Sequence, residues 1–315
     1  MKNWLLFLIM YFVYWVLFAN YEQYHIIKAV LLNFLPFFPF YYFAEKGILT
    51  EKVLKVFFLF MFPIIALRFL LSLSTLRYET MQEDVVENSS YYFIGLLPFV
   101  FLFRNKIVSV TFLMIMWYLM IQSAKRAAII CGATTFLLLV FDFLHQSEGK
   151  AKARRYFIAG LLFLVVGYFA YDLYEQNQYL VERMESMKEG QSSGRDFLIE
   201  HLLKLWYESD NAFRYIFGFG YNASGRNSPH VSHNDWVDML VSFGLVGFVV
   251  YFNLYRLMFL DIVKKKWIGN KKNIMVLVFL IAIITSLTSR WYWSTFIYMQ
   301  ILILPYLLAT HDREV

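Results

Sequence analysis

Long apolar runs are the feature of the sequence that most restricts its fold. Ten follow one another along the 315 residues, and most approach the roughly 20 residues that a helix needs to cross a bilayer. They cover residues 3–20, 26–44, 53–75, 88–103, 107–122, 127–144, 156–173, 233–260, 274–289 and 291–309. Hydrophobic residues make up 60% of the chain and charged residues 17%, against about 45–50% and about 25% in soluble domains. The composition excludes a soluble enzyme and predicts an all-α, polytopic membrane helical bundle of about ten transmembrane helices.

The distribution of Lys and Arg predicts the side of the membrane on which each connection lies. The segment 145–155 carries four basic residues and the segment 261–273 carries five. Cytoplasmic loops are enriched in Lys and Arg, so we expect both segments to be cytoplasmic. Counting the runs that separate them places the N- and C-termini in the cytoplasm and the acidic segment 79–87 outside. Pro36 and Pro39 predict a kink in the second run.

One connection is far longer than the others. Residues 174–232 form a 59-residue loop between the seventh and eighth runs, and the predicted topology makes this loop extracytoplasmic. Apolar residues recur at helical spacing within it, at Phe197, Leu198, Leu202, Leu205 and Trp206. This pattern predicts an amphipathic helix that lies on the membrane surface or caps a cavity. Gly218 and Gly220 predict a tight turn. We therefore expect a single membrane domain over 1–315, with this loop carrying part of the site.

Basic residues near the outer ends of helices are the strongest functional signal. These residues are Lys125 and Arg126 between the fifth and sixth runs, Arg195 in the loop, and Arg290 between the ninth and tenth runs; Arg68 lies inside the third run. An ionisable residue at membrane depth indicates function, although one alone is equally well explained as a snorkelling anchor. Their gathering at one face favours a shared anionic ligand.

Helix N-termini at the same face favour the same kind of ligand, because their unpaired N–H groups and partial positive charge attract phosphate. Ser123 is expected to cap the sixth helix. Ser232, with Asp235 three residues on, is expected to cap the eighth. Arg126 and His233 would then lie in the first turns of these two helices. A phosphate bound there would contact both the backbone and a side chain.

His233 has two other interpretations. It is an interfacial polar anchor in the simplest one. In the other, His230 and His233 bind a metal with Asp235 or Asp238 as a third ligand. The start of the eighth helix falls beside the two histidines, so their rings are not expected to share a face, and we expect no metal site. The single cysteine, Cys131, lies in an apolar run and forms no intrachain disulfide framework.

The order of motifs resembles the O-antigen ligase and Wzy-type polymerase superfamily. A long outer loop with SGR is followed by a G-x-G, then by HN at 233–234, then by an apolar helix with G-x-x-G at Gly244 and Gly247. The earlier string SAKRAA resembles the S-x-R-x-A motif that these proteins carry before a middle helix. The resemblance covers residues 123–250. Because this chain reads AKR at that motif, the division of roles between Lys125 and Arg126 stays open. The two glycines themselves are expected to allow close helix packing.

The resemblance implies a glycosyltransferase on the outer face of the bacterial cytoplasmic (inner) membrane. Polymerases of the superfamily extend surface polysaccharides, such as O-antigen, capsule or exopolysaccharide, from glycans linked to undecaprenyl pyrophosphate, and ligases transfer the glycan to lipid A core. It implies neither a metal nor another cofactor. The expected partners are the undecaprenyl-pyrophosphate-linked glycan donor, a glycan acceptor, the lipid bilayer and other polysaccharide-assembly proteins, with no nucleic acid.

The resemblance also implies roles for individual residues. His233 would act as general base or position the acceptor hydroxyl, and Asn234 would orient His233 or a sugar hydroxyl. The residues expected to bind pyrophosphate are Arg126, Arg195, Arg290 and Lys125, with Arg68 as a further candidate. Three alternatives remain: an O-antigen ligase, a transporter or flippase for an anionic lipid or solute, and a noncatalytic scaffold of a cell-envelope complex.

Overall fold

The computed structural model describes residues 2–18, 24–81, 88–123, 125–145, 195–228 and 233–314, with short stretches between 153 and 185. These residues form helices and turns, and no β-strand occurs among them, which confirms the all-α prediction. Five helical segments of the described chain are long and apolar enough to cross a membrane: Tyr24–Glu45, Glu51–Thr80, Arg126–His145, Asp235–Lys264 and Lys271–Thr288. Part of the seventh run and nearly all of residues 174–194 of the long loop lie outside the described residues. The count of ten spans therefore stays a prediction.

The described helices fall into two compact units. In chain order they are α1 (Lys2–Phe18), α2 (Tyr24–Phe34), α3 (Phe37–Glu45), α4 (Glu51–Thr80), α5 (Tyr91–Leu96), α6 (Lys106–Gln122), α7 (Arg126–His145), α8 (Arg195–Tyr207), α9 (Ala212–Phe217), α10 (Ala223–Arg226), α11 (Asp235–Lys264), α12 (Lys271–Thr288) and α13 (Ile297–Glu314). The first unit comprises residues 1–50, 192–268 and 278–315, and the second comprises 51–191 and 269–277.

Proline positions explain two of the interruptions. The second apolar run is broken between α2, which ends at Phe34, and α3, which begins at Phe37, so the predicted kink at Pro36 is confirmed. In the fourth run, α5 is flanked by two 3-10 turns, Asn88–Ser90 and Leu97–Leu102, and Pro98 lies in the second of them. A proline is tolerated at such a first turn because its missing N–H has no partner there in any case.

Two kinds of contact stabilise the second unit: a polar cluster at the helix ends and close packing between α6 and α7. Lys106 forms an ion pair with Asp142, and the side-chain amide of Asn273 donates to the same carboxylate at 2.8 Å. In the helix interiors a Cβ at Gly132 would lie 2.5 Å from the ring of Trp117, so only glycine admits this indole between α6 and α7. Both contacts favour a defined helix register.

The core of the first unit is aromatic. The rings of Trp4 and Phe37 stack with centroids 4.9 Å apart, and Phe7 lies 5.8 Å from Tyr251 and 6.1 Å from Tyr292. Helix α1 thereby packs along α11 and the connection that precedes α13. Large rings bury much apolar area per residue and add a geometric preference of about 1 kcal/mol per pair.

Helix α11 is not one straight span. Gly244 has φ 65° and ψ −159°, outside the helical region. The hydroxyl of Tyr251 donates to Asp235 at 2.8 Å although the two residues are 16 apart in sequence, a separation that covers about 24 Å in an unbroken helix. The ring of Trp236 likewise lies 5.0 Å from that of Tyr255. The chain therefore reverses at Gly244, between a short arm (235–243) and a long arm (245–264). The prediction of one continuous helix over 233–260 is wrong.

The predicted turn at 218–220 packs against this reversal. Gly218 and Gly220 have φ of 74° and 93°, as a tight turn of glycines allows. The N–H groups of residues 219 and 220 donate to the carbonyl oxygens of residues 241 and 242 at 2.9 and 3.0 Å. A Cβ at Gly244 would lie 2.5 Å from the backbone nitrogen of Gly218. Gly244 is thus required by the reversal and by this backbone approach, and its predicted role in helix packing is corrected.

The predicted amphipathic helix of the long loop exists as α8. Its Leu202 is fully buried in a cluster with Ala223, Val237 and Val241, and Phe197 on the opposite face is exposed. The apolar face of α8 therefore covers the short arm of α11. This contact fixes the start of α8, and with it Arg195.

Candidate functional site

Four of the predicted site residues meet where α12 ends, in the first unit. The Nη1 of Arg195 donates to the carbonyl oxygen of Thr288, the last residue of α12, at 2.9 Å. The side-chain amide of Asn234 donates to the carbonyl oxygen just before it at 3.5 Å. His233 precedes Asn234, and Arg290 follows two residues after α12. A cation at a helix C-terminus is favourable in itself, so Arg195 has a structural contact in addition to its predicted role.

Asn234, not Ser232, is the N-cap of α11. Its side-chain oxygen accepts from the backbone N–H groups of Trp236 and Val237 at 3.0 and 3.2 Å, and the helix begins at Asp235. The predicted cap at Ser232, which lies outside the described residues, is therefore wrong. His233 stands before the helix and not in its first turn, with φ 50° in the left-handed region. A cap with two accepted bonds fixes the backbone beside this imidazole.

Arg290 is buried and unusually short of partners. It lies in the non-helical segment 289–296, because α13 begins at Ile297 and not near 291 as predicted. Only 6% of Arg290 is exposed, and its Nε and Nη2 have no hydrogen-bond partner among the described residues. Its Cζ lies 4.0 Å from the centroid of the Trp293 ring, a cation–π contact. A buried cation with unused donors is costly unless an anion accepts from it.

Two buried carboxylates lie beside this arginine. Asp235 is 0% exposed and Asp238 2%. Asp235 Oδ2 accepts from the backbone N–H of Trp291 at 2.7 Å, and Asp238 accepts from the hydroxyl of Tyr292. Sequence reasoning considered both aspartates only as a cap and as metal ligands. One sequence signal could have indicated their importance: two aspartates lie three residues apart within an apolar run. Charged residues are almost never fully buried without partners.

Buried tyrosines surround the carboxylates. The Tyr11 ring lies 5.5 Å from Tyr221 and 5.7 Å from Tyr292. Burial raises the pKa of the Tyr221 phenol above its usual value. This hydroxyl stays protonated at physiological pH and keeps its capacity to donate a hydrogen bond.

Ser123 does not cap the sixth helix in the way predicted. It is the C-cap of α6, where its hydroxyl donates to a carbonyl oxygen of the preceding turn at 2.5 Å. The hydroxyl oxygen of Ser123 also accepts from the backbone N–H of Lys125 at 3.4 Å, so Ser123 closes the turn between α6 and α7. Arg126 is the first residue of α7, as the sequence predicts to within one residue. Both basic residues of this turn are half-buried.

The remaining cations lie against aromatic rings in the second unit. Lys125 Nζ is 5.9 Å from the centroid of Tyr91, and Arg68 Cζ is 5.2 Å from the centroid of Tyr92. The structure thus assigns Lys125, Arg126 and Arg68 to one unit and Arg195, His233, Asn234 and Arg290 to the other.

The histidine pair of the metal alternative is only partly described. His230 lies outside the described residues, and within the part of the chain that is described no three His, Cys, Asp or Glu side chains are placed to hold a metal ion. Cys131 is buried in α7.

Comparison with known proteins gives one match. Residues 110–252 match the family model described as O-antigen ligase, a range that includes Lys125, Arg126, Arg195, His233 and Asn234 but neither Arg68 nor Arg290. No curated protein and no solved structure matches the chain. The match points in general to the ligase- or polymerase-type function of membrane glycosyltransferases. It confirms the resemblance seen in the motifs: over residues 110–252 the chain is similar to the O-antigen ligase and Wzy-type polymerase superfamily.

Proposed function

We propose that this protein is an extracytoplasmic membrane glycosyltransferase that polymerises undecaprenyl-pyrophosphate-linked oligosaccharide repeat units into a surface polysaccharide. The observation that carries the proposal is Arg290, buried next to the HN motif with two guanidinium nitrogens lacking hydrogen-bond partners among the described residues. A pyrophosphate supplies both the negative charge and the paired oxygen acceptors that a guanidinium binds best.

The proposed reaction uses the residues at the end of α12. A hydroxyl of the acceptor sugar attacks the anomeric carbon of the donor, and His233 takes the proton of this hydroxyl. The bond between the anomeric carbon and the pyrophosphate oxygen breaks, and undecaprenyl pyrophosphate leaves with the electron pair. Arg290 and Arg195 stabilise the charge that develops on the leaving group, a role that cations can perform without a metal. Asn234 orients His233 or a sugar hydroxyl.

Lys125 and Arg126 are proposed as further pyrophosphate ligands, with Arg68 as an additional cation. The support is the S-x-R-x-A-like motif and the position of these cations where the predicted topology places the outer face, against the usual cytoplasmic bias of Lys and Arg. Arg126→Ala is expected to abolish polymer while protein abundance stays near normal. Lys125→Ala, measured beside it, assigns the role to one of the two residues.

The direct test is glycan lengthening by the purified protein in nanodiscs with lipid-linked repeat units. The parent protein is expected to produce a ladder of lengths on a gel, and Arg290→Ala is expected to lose at least about tenfold of the rate. Arg214→Ala is the matched control, because its guanidinium also lies over an aromatic ring, that of Phe219 at 4.9 Å, but is exposed. Equal losses in both variants would contradict an anion site at Arg290.

A second test separates a general base from a metal ligand. His233→Ala is expected to lose transfer but to retain binding of the lipid-linked donor, whereas His230→Ala is expected to be much milder. Chelators are expected to leave activity intact. Activity that is lost in chelator, restored by one divalent metal and abolished equally by both substitutions would show a metal site.

The ligase reaction is the second candidate, favoured by the description of the matching family. The same nanodiscs, supplied with lipid A core as an additional acceptor, distinguish the two by product: a single transfer to the core indicates a ligase, and a ladder on lipid-linked repeats indicates a polymerase. Movement of the lipid-linked substrate across the bilayer without a new glycosidic bond would instead indicate a flippase.

A further inference from the structure

We infer that Asp235 and Asp238 are positioning residues that hold the segment 290–292, and thereby Arg290, against the HN motif. The inference rests on the proposed function, since it assigns to these carboxylates the placement of a leaving-group ligand. It adds two residues for which the motifs gave no such role.

Arg290 depends on its backbone for its position. Its guanidinium contacts the ring of Trp293, but Nε and Nη2 have no hydrogen-bond partner among the described residues. The segment that carries it is not helical, so no helical hydrogen-bond ladder fixes it. The contacts made by residues 291 and 292, together with the hydroxyl of Ser294 that donates to the carbonyl oxygen of Arg290, therefore determine where the guanidinium lies.

Asp235 holds the first of these two residues. Its Oδ2 accepts from the backbone N–H of Trp291 at 2.7 Å and from the hydroxyl of Tyr251 at 2.8 Å. A buried donor that loses its acceptor is costly, so both bonds resist breaking. Asp235 directly follows Asn234, and Trp291 directly follows Arg290. The bond between Asp235 and the N–H of Trp291 therefore links the HN motif to Arg290.

Asp238 holds the second residue, one turn further along the short arm. Its Oδ2 accepts from the hydroxyl of Tyr292, while its Oδ1 accepts from Ser224 and, at 3.2 Å, from Ser242. The side-chain amide of Asn33 donates to the carbonyl oxygen of Tyr292 at 3.0 Å. The arm thus fixes Trp291 through its backbone and Tyr292 through its side chain.

A positioning role and a role for the charge itself make different predictions for Asp235. Its Oδ1 has no hydrogen-bond partner among the described residues, and Oδ2 receives both bonds. An asparagine can present its amide oxygen where Oδ2 lies and accept the same two bonds. If Asp235 only positions the segment, Asp235→Asn keeps its function and Asp235→Ala loses it. If Asp235 accepts a proton or neutralises a charge, both variants lose its function.

The test is a double-mutant cycle on affinity for undecaprenyl pyrophosphate, measured with the full-length protein in nanodiscs. Tyr292→Phe removes one hydrogen bond to Asp238 and is expected to weaken binding about fivefold. Arg290→Ala is expected to weaken it at least about tenfold. In Arg290→Ala combined with Tyr292→Phe the two losses should not multiply, because Tyr292 acts through Arg290. Asp235→Asn should restore most of the affinity that Asp235→Ala loses.

Tyr215→Phe is the matched control. It removes a hydroxyl that donates to the carbonyl oxygen of Tyr207 in the same unit, away from the segment 290–292, and should leave affinity unchanged. Losses that multiply in the double variant, or Asp235→Asn as weak as Asp235→Ala, overturn the inference while Arg290 keeps its proposed role. Unchanged affinity in Arg290→Ala overturns the proposed anion site itself. If Asp235→Ala does not fold, the Tyr292 cycle decides.

Discussion

Gly218→Ala is a severe test of the backbone approach between the 218–220 turn and α11. Gly218 has φ 74° and ψ −169°, a region that residues with a Cβ occupy only at a cost of about 1–3 kcal/mol. A Cβ there would also lie 2.5 Å from the carbonyl carbon and oxygen of Ser242 and 2.6 Å from the nitrogen of Gly244. These are backbone atoms, so relief requires the turn and the reversal to separate.

Separation would break the two hydrogen bonds from residues 219 and 220, at about 1 kcal/mol each. With the backbone strain, the expected loss of stability is about 3–5 kcal/mol. Gly269→Ala provides the comparison, because Gly269 also has a positive φ, 60°, but a Cβ there meets no atom within 4 Å. Its expected cost is conformational only, about 1 kcal/mol.

The assay is the apparent melting temperature of the purified protein in detergent, with glycan transfer measured in parallel. At about 2–4 °C per kcal/mol for a unit of this size, Gly218→Ala should melt about 10 °C lower and Gly269→Ala about 3 °C lower. Transfer should fall with Gly218→Ala, because the reversal carries the HN motif. Equal shifts for the two variants would refute the packing of this turn against α11.

Three further predictions concern the cap, the aromatic support and the topology. Asn234→Asp should preserve the N-cap of α11 and melt near the parent, whereas the same position changed to Ala should cost about 1 kcal/mol, measured by the same melting assay. Trp293→Leu should weaken undecaprenyl pyrophosphate binding several-fold by removing the ring under Arg290, and unchanged affinity would show that this contact is dispensable. Cysteines introduced at Ser192 and Gln146 should react with an impermeant thiol reagent in intact cells only at 192, and the reverse pattern would contradict the predicted topology.

Local signals in the sequence predicted much of the first unit. The kink at Pro36, the turn of Gly218 and Gly220 and the amphipathic helix around Leu202 each depend on residues within about ten positions of one another. Such features follow from φ restrictions and apolar periodicity, which act locally.

The reversal at Gly244 could not be predicted in the same way. A glycine in an apolar run is compatible with close helix packing, and only the approach of Gly218, far away in sequence, shows that the backbone leaves the helix. The burial of Arg290 is equally nonlocal. Its sequence position between two apolar runs gave no sign of burial, which results from the bonds of Trp291 and Tyr292 to the short arm.

The 218–220 turn also has a consequence for solvation. The last carbonyl groups of any helix lack intrahelical partners, and exposing them without water costs several kcal/mol each in an apolar medium. At the end of the short arm, Val241 and Ser242 receive the N–H groups of residues 219 and 220, and the carbonyl of Phe243 receives the hydroxyl of Tyr14 at 3.4 Å. The protein thus replaces the water that a half-helix would otherwise need at its end. A chimera that takes this loop from a similar protein should therefore transfer residues 195–243 as one block.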